Sequence, residues 1–118
     1  MLLINLLDSK PQIQKHLFEK GYLITDASIP NPKDYPFYGN WTDTPIGAYH
    51  FWVHKGAKLY TYRFDQGCLF LIGHAYNPYT MEADENVILQ NLAQAYGTDC
   101  YWNTIDELTG IFVLGLVN

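Results

Sequence analysis

Four histidines, two cysteines and a cluster of carboxylates are the side chains of this 118-residue chain suited to acid–base, nucleophilic or metal chemistry. His74 follows Gly73 in the stretch LIGHAYNPYT (residues 71–80), between an apolar strand-like run and a helix start. A histidine there suits a general base, and it suits a solvated strand end equally well. His50 and His54 are four apart. On a helix that spacing fits a metal ion. On a strand, which the surrounding residues suggest, the chelate geometry is poor, and no metal is expected. His16 is expected at the exposed edge of a helix. Cys68 and Cys100 lie far apart without a CxxC spacing, so buried free thiols are expected rather than a disulfide. The acidic run EADE (82–85) has the character of a helix N-terminus. Neither a G-x-S-x-G elbow nor a glycine-rich phosphate loop occurs, and no cofactor is expected.

The elements that must position these groups follow from patterning. LLINLL (2–7) reads as a buried strand. The next segment reads as a helix capped by Ser9, with Pro11 in its first turn, Ile13, Leu17 and Phe18 as its apolar stripe, and Gly21 beyond its end. YLIT (22–25) suggests a second strand. Pro30, Pro32, Pro36, Gly39, Pro45 and Gly47 argue for a long loop over 30–47, pinned by Tyr35, Phe37, Tyr38 and Trp41. Aromatic and β-branched residues then predict three antiparallel strands at 48–54, 58–64 and 68–72, with turns at Lys55-Gly56 and Asp65-Gln66-Gly67. A helix over 84–96 has Asp84 as N-cap and Gly97 as its stop, with Val87, Ile88, Leu92, Ala95 and Tyr96 on its core side. A short helix at 99–108 and an apolar strand opening at Gly110 complete the chain. Hairpins with separate helices indicate an α+β fold in one domain, with antiparallel sheets and flanking helices.

Composition bounds the function. Net charge is −5, with seven Lys and Arg in all and a single arginine, Arg63. Without a basic cluster, neither nucleic acid nor an anionic membrane is an expected partner. No apolar run reaches the ~18–20 residues of a membrane span. The start lacks the basic region and cleavage site of a signal peptide, so a cytoplasmic location is expected. Aromatic residues make up 16% of the chain and charged residues also 16%, which leaves Tyr and Trp to cover surface and suits an interface.

Residues 69–116 resemble the class II glutamine amidotransferase domain of asparagine synthase-related proteins. That family has a strand leading to an Asn-Gly-Glu-x-Tyr-Asn turn, an acidic helix start, an ILxxLxxxYG helix and an LxGxF strand. The matching residues here are Ile72-Gly73-His74-Ala75-Tyr76-Asn77, Ala83-Asp84-Glu85-Asn86, VILQNLAQAYG and ELTGIFVLG. The resemblance implies an N-terminal-nucleophile (Ntn) hydrolase sandwich of two antiparallel sheets with helices outside, of which this chain is the front part. In the family, an N-terminal cysteine hydrolyses glutamine and the ammonia passes to an ATP-dependent synthetase domain. Here the nucleophile position is Leu2, and the position of the oxyanion asparagine is Ile72. The region matching the arginine loop, about 30–47, contains no arginine. Gly73 and Asp84 match an oxyanion donor and the residue that holds the substrate amine. Two roles follow. The chain is a non-catalytic domain that packs on a synthetase domain or self-associates through an unpaired strand edge. Alternatively, a ligand-binding or hydrolytic site survives around Gly73, His74, Asn77 and Asp84, with His74 as base.

Overall fold

The computed structural model describes residues 10, 12, 19–27 and 39–118. The strand expected at 2–7, Leu2 itself, most of the first helix with Ser9, Pro11 and His16, and the aromatic residues Tyr35, Phe37 and Tyr38 lie outside the described residues. The chain divides into two compact units, Met1–Lys58 and Leu59–Asn118. Together they hold two three-stranded antiparallel sheets and two helices among the described residues, an α+β composition.

The first unit contains β1 (Tyr22–Thr25), β2 (Trp41–Ile46) and β3 (Tyr49–His54), in the order β1-β3-β2. β2 and β3 form a hairpin in which Ile46 faces Tyr49 across Gly47 and Ala48. Gly47 takes φ +59°, the left-handed conformation that two-residue hairpin turns require. Strand β2 occupies ground where proline and glycine predicted loop. Pro45 is accommodated because β2 lies at the sheet edge, where a missing N–H on the outer side breaks no ladder bond. Phe51, Val53 and Ile46 are buried.

The second unit contains β4 (Leu59–Phe64), β5 (Gly67–Tyr76), α1 (Glu85–Ala95), α2 (Asp99–Glu107) and β6 (Thr109–Val117), with sheet order β4-β5-β6. The three strands expected in succession at 48–54, 58–64 and 68–72 exist, but the first two do not pair. Both sides of β3 are already taken by β1 and β2, so β4 joins the other sheet. Between them the His54 ring accepts the Gly56 N–H at 2.9 Å, and the His54 carbonyl accepts the Ala57 N–H at 2.8 Å.

One face of the β4-β5-β6 sheet carries Leu69, Leu71 and Ala75 into a core with Ile88, Leu89 and Leu92 of α1 and Tyr101 of α2. Tyr60, Tyr62 and Phe64 of β4 and Phe112, Leu114 and Leu116 of β6 flank it. Ile88 and Leu92 are buried and Ala95 packs against the core as expected, while Leu89, outside the expected stripe, is fully buried and Tyr96, just past the helix end, is exposed. Residues 85, 88, 89 and 92 form its buried row, the i, i+3, i+4, i+7 set of a single face. Asp84 caps α1 as expected, accepting the Asn86 N–H, and Gly97 beyond its end takes φ +85°.

Candidate functional site

The stretch that opens the chemical question is strand through Tyr76 and turns only from Asn77 onward. β5 runs through Gly73 and His74 to Tyr76, paired residue for residue with β6 from Cys68↔Val117 to Tyr76↔Thr109. The difference from the expected turn has a local cause. Gly73 takes φ +108°, and a Cβ there would stand 2.3 Å from the Ile111 carbonyl oxygen. Gly110 on the facing strand takes φ +130°, and its Cβ would stand 2.3 Å from the His74 carbonyl oxygen. These two glycines let the backbones approach closely and carry the ladder onward, a use of glycine within strands that looks like a turn signal in sequence.

His74 pairs with Ile111 in the ladder, and its side chain is 72% exposed. Its Nδ1 lies 3.1 Å from Oε1 of Glu85, whose side chain is only 12% exposed. A buried carboxylate accepts, so the geometry assigns the proton to Nδ1 and leaves Nε2 as the acceptor in the neutral ring. Burial, then the Glu85 carboxylate, then that of Asp84 hold the Tyr60 phenol above its ordinary value. The charge around the dyad is therefore negative.

Asn77 is buried at 4% exposure and organises the loop that follows β5. Its backbone exchanges reciprocal hydrogen bonds with Glu82, at 2.9 and 3.1 Å. Its Oδ1 accepts the N–H groups of Tyr79 at 3.0 Å and Thr80 at 3.3 Å, an Asx turn. Its Nδ2 donates to Oε2 of Glu107 at the end of α2, 3.3 Å away. The Glu82 carboxylate accepts the N–H groups of Ala83 and Asp84, and Asp84 Oδ1 accepts the Asn86 N–H. Each carboxylate of the EADE run with a described role thus serves the helix start or the His74 contact.

Four candidate residues, Gly73, His74, Asn77 and Asp84, fall within one stretch from the end of β5 to the start of α1. An open cavity of about 620 Å³ in this unit lies elsewhere, between the β4–β5 turn and the end of α1. Tyr62, Arg63, Phe64, Gln94, Tyr96 and Gly97 border it, and none of the four candidates does. Ile72, at the oxyanion-asparagine position, is 4% exposed. From residue 59 onward the only Lys or Arg is Arg63. It faces Cys68, five residues back along β5 from Gly73, which at about 3.3 Å per residue is roughly 17 Å. Within this unit, a substrate carboxylate at Gly73 would have no cation in reach.

Among the described residues there is no group of three or more His, Cys, Asp or Glu placed to hold a metal. His54 is buried, and His50 instead contacts Asp43, with Nδ1 3.0 Å from Oδ2. Both cysteines are free, but Cys100 is exposed rather than buried, because it lies on the outer side of α2 while its neighbour Tyr101 enters the core. No helix among the described residues is long and apolar enough to cross a membrane. The buried acceptor Glu85 and the half-buried acceptor Glu107 were missed in the sequence. The signal available for Glu85 was its place on the α1 core row, three residues before Ile88. No family model, curated protein or solved structure matches the chain.

Proposed function

We propose that the chain is a non-catalytic, glutamine amidotransferase-like module of an asparagine synthase-related protein, acting in domain packing and assembly in the cytoplasm. In this reading the two antiparallel sheets belong to an Ntn-hydrolase-like sandwich, and the module packs on a synthetase domain. One observation carries it: the residues matched to the family's site are committed to holding the fold. Asp84 caps a helix, Asn77 closes a loop and reaches Glu107, and Ile72 is a buried aliphatic residue where a donor is required. The single arginine of the second unit, far along the sheet from Gly73, adds support.

The test is glutamine hydrolysis by the purified chain, read as ammonia release in a coupled assay. No release above background is expected. Turnover that survives repurification would overturn the reading.

A second reading rests on the His74–Glu85 dyad. An exposed imidazole whose Nδ1 is held by a carboxylate is arranged as a general base. It predicts turnover of some substrate that His74→Ala abolishes and His74→Gln does not restore.

A further inference from the structure

The cavity of about 620 Å³ between the β4–β5 turn and the end of α1 falls within the ~300–1,000 Å³ of small-molecule sites, and it shares no residue with the His74 stretch. Three rings line it. Tyr62 and Phe64 come from β4, half-buried against the core, and Tyr96 stands at the end of α1, 37% exposed. The Phe64 and Tyr96 rings meet edge to face with centroids 5.5 Å apart, and Tyr101 backs Tyr96 at 5.3 Å. Gly97 leaves the helix side open, since a Cβ there would meet nothing within 4 Å.

The charges around these rings favour a cation. Asp65 borders the cavity from the β4–β5 turn and makes no ion pair among the described residues. The C-terminus of α1, the negative end of its dipole, has no basic residue in the last turn. Gln66 and Gln94 on the border are neutral. Arg63 is the one opposing charge, and strand alternation turns it aside. It pairs with Cys68, whereas Tyr62 pairs with the core residue Leu69, and paired residues share a face of the sheet. The Arg63 side chain therefore leaves β4 on the face away from Tyr62 and Phe64. From residue 59 onward seven carboxylates stand against that single arginine, a field that draws cations toward this unit. We propose that the cavity binds the alkylated ammonium head of an organic cation, seated on the rings of Tyr62, Phe64 and Tyr96 with Asp65 at its rim. Methyl groups spread the charge and bury against ring faces, which attract a cation through their quadrupoles. A metal ion does not suit the same place, because no group of three or more metal-ligating side chains exists among the described residues. The site stands whether or not the chain is amidotransferase-like, because it uses none of the matched residues.

The probe is choline, added to the full chain and followed by proton NMR. Its N-methyl signal is expected to move upfield saturably, as ring currents act on protons held over aromatic faces. The neutral tert-butyl isostere, dimethylbutanol, should bind about tenfold more weakly, since it keeps the shape and loses the charge. Tyr96→Leu should weaken choline binding about fivefold or more, and Asp65→Asn about threefold, the latter loss shrinking as salt rises. Asp65→Lys, in an exposed turn that does not depend on the core, should abolish the shift, and it decides the matter alone if Tyr96→Leu unfolds the unit. An N-methyl signal that does not move overturns the proposal. So does an isostere that binds as well as choline, or choline binding indifferent to Asp65→Lys.

Discussion

Asn77 offers the sharpest test of how the second unit holds its helices. Its side chain makes three hydrogen bonds, two accepted from the loop N–H groups of Tyr79 and Thr80 and one donated to Glu107. A neutral hydrogen bond contributes about 1 kcal/mol net, and one to a charged group about 1.5–3 kcal/mol. Two of the three are 3.3 Å long, and Tyr79 and Thr80 are exposed, so their N–H groups can turn to water in a truncated variant. The low end of each range therefore applies, and Asn77→Ala should destabilise the unit by about 2–3 kcal/mol. With a urea m-value near 1–2 kcal/mol/M for so small a unit, the midpoint should fall by about 1–3 M. Trp102, the only tryptophan in this unit, reports the transition by fluorescence.

Asn77→Asp separates the bonds. The carboxylate still accepts from Tyr79 and Thr80, but it turns an acceptor toward Glu107 where the amide supplied a donor. At pH 7 two carboxylates then meet at hydrogen-bond distance, and the loss should equal or exceed that of Asn77→Ala. Lowering the pH until one carboxyl of the pair is protonated restores a donor, and the variant should then gain relative to wild type while Asn77→Ala does not. An Asn77→Asp chain within about 0.5 kcal/mol of wild type at pH 7 would refute the reasoning, because it would mean that the Glu107 contact contributes nothing.

Gly73→Ala should destabilise by about 3 kcal/mol or more, since it adds a strained φ of +108° to a contact of 2.3 Å with a backbone oxygen. Gly97→Ala, with φ +85° and open space around it, should cost about 1–2 kcal/mol, and paired thermal melts compare the two. Burial, then the neighbouring Tyr96, raises the Tyr101 phenol above its ordinary 10.0. A folded value above the unfolded one means that its stabilising contribution is complete below pH 10 and is lost as pH rises through the folded value. Absorbance titration at 295 nm should show a late phenol step, shared with Tyr60, that Tyr101→Phe diminishes, and Tyr101→Phe should resist alkaline unfolding better than wild type.

Features written into contiguous residues were legible in the sequence. Asp84 and Gly97 bracket α1, the Asp65-Gln66-Gly67 turn joins β4 to β5, and the apolar run after Leu108 is β6. Features that depend on distant residues were not. Pro45 excludes a strand only if its N–H is needed, and that depends on which side of β2 faces β3. The Lys55-Gly56 turn is local, whereas the choice of sheet for β4 depends on β1 having already taken the free side of β3. Gly73 reads as punctuation until Gly110 is set opposite the residue two places on, at Ala75. The candidate residues were found as a group, but their partners Glu85 and Glu107 were not, because burial of a carboxylate becomes visible only with its donor.

The two polar contacts at the end of β5 bear on function together. His74 holds Glu85 at the first turn of α1, and three residues later Asn77 holds Glu107 at the last turn of α2. One strand end thus fixes the start of one helix and the end of the other. Each acceptor sits where solvent is partly excluded, so losing its donor strands a carboxylate. A catalytic role asks the free Nε2 of the same His74 to meet a substrate, yet the open cavity of this unit is bordered by other residues. A scaffold role asks nothing further, and it accounts for Asn77, Asp84 and Glu82 by the same logic. The two readings part on Glu85→Gln. The amide can still accept from Nδ1, so a scaffold keeps its stability, whereas a base that needs a carboxylate to offset the imidazolium formed during turnover loses its charge partner and with it any turnover.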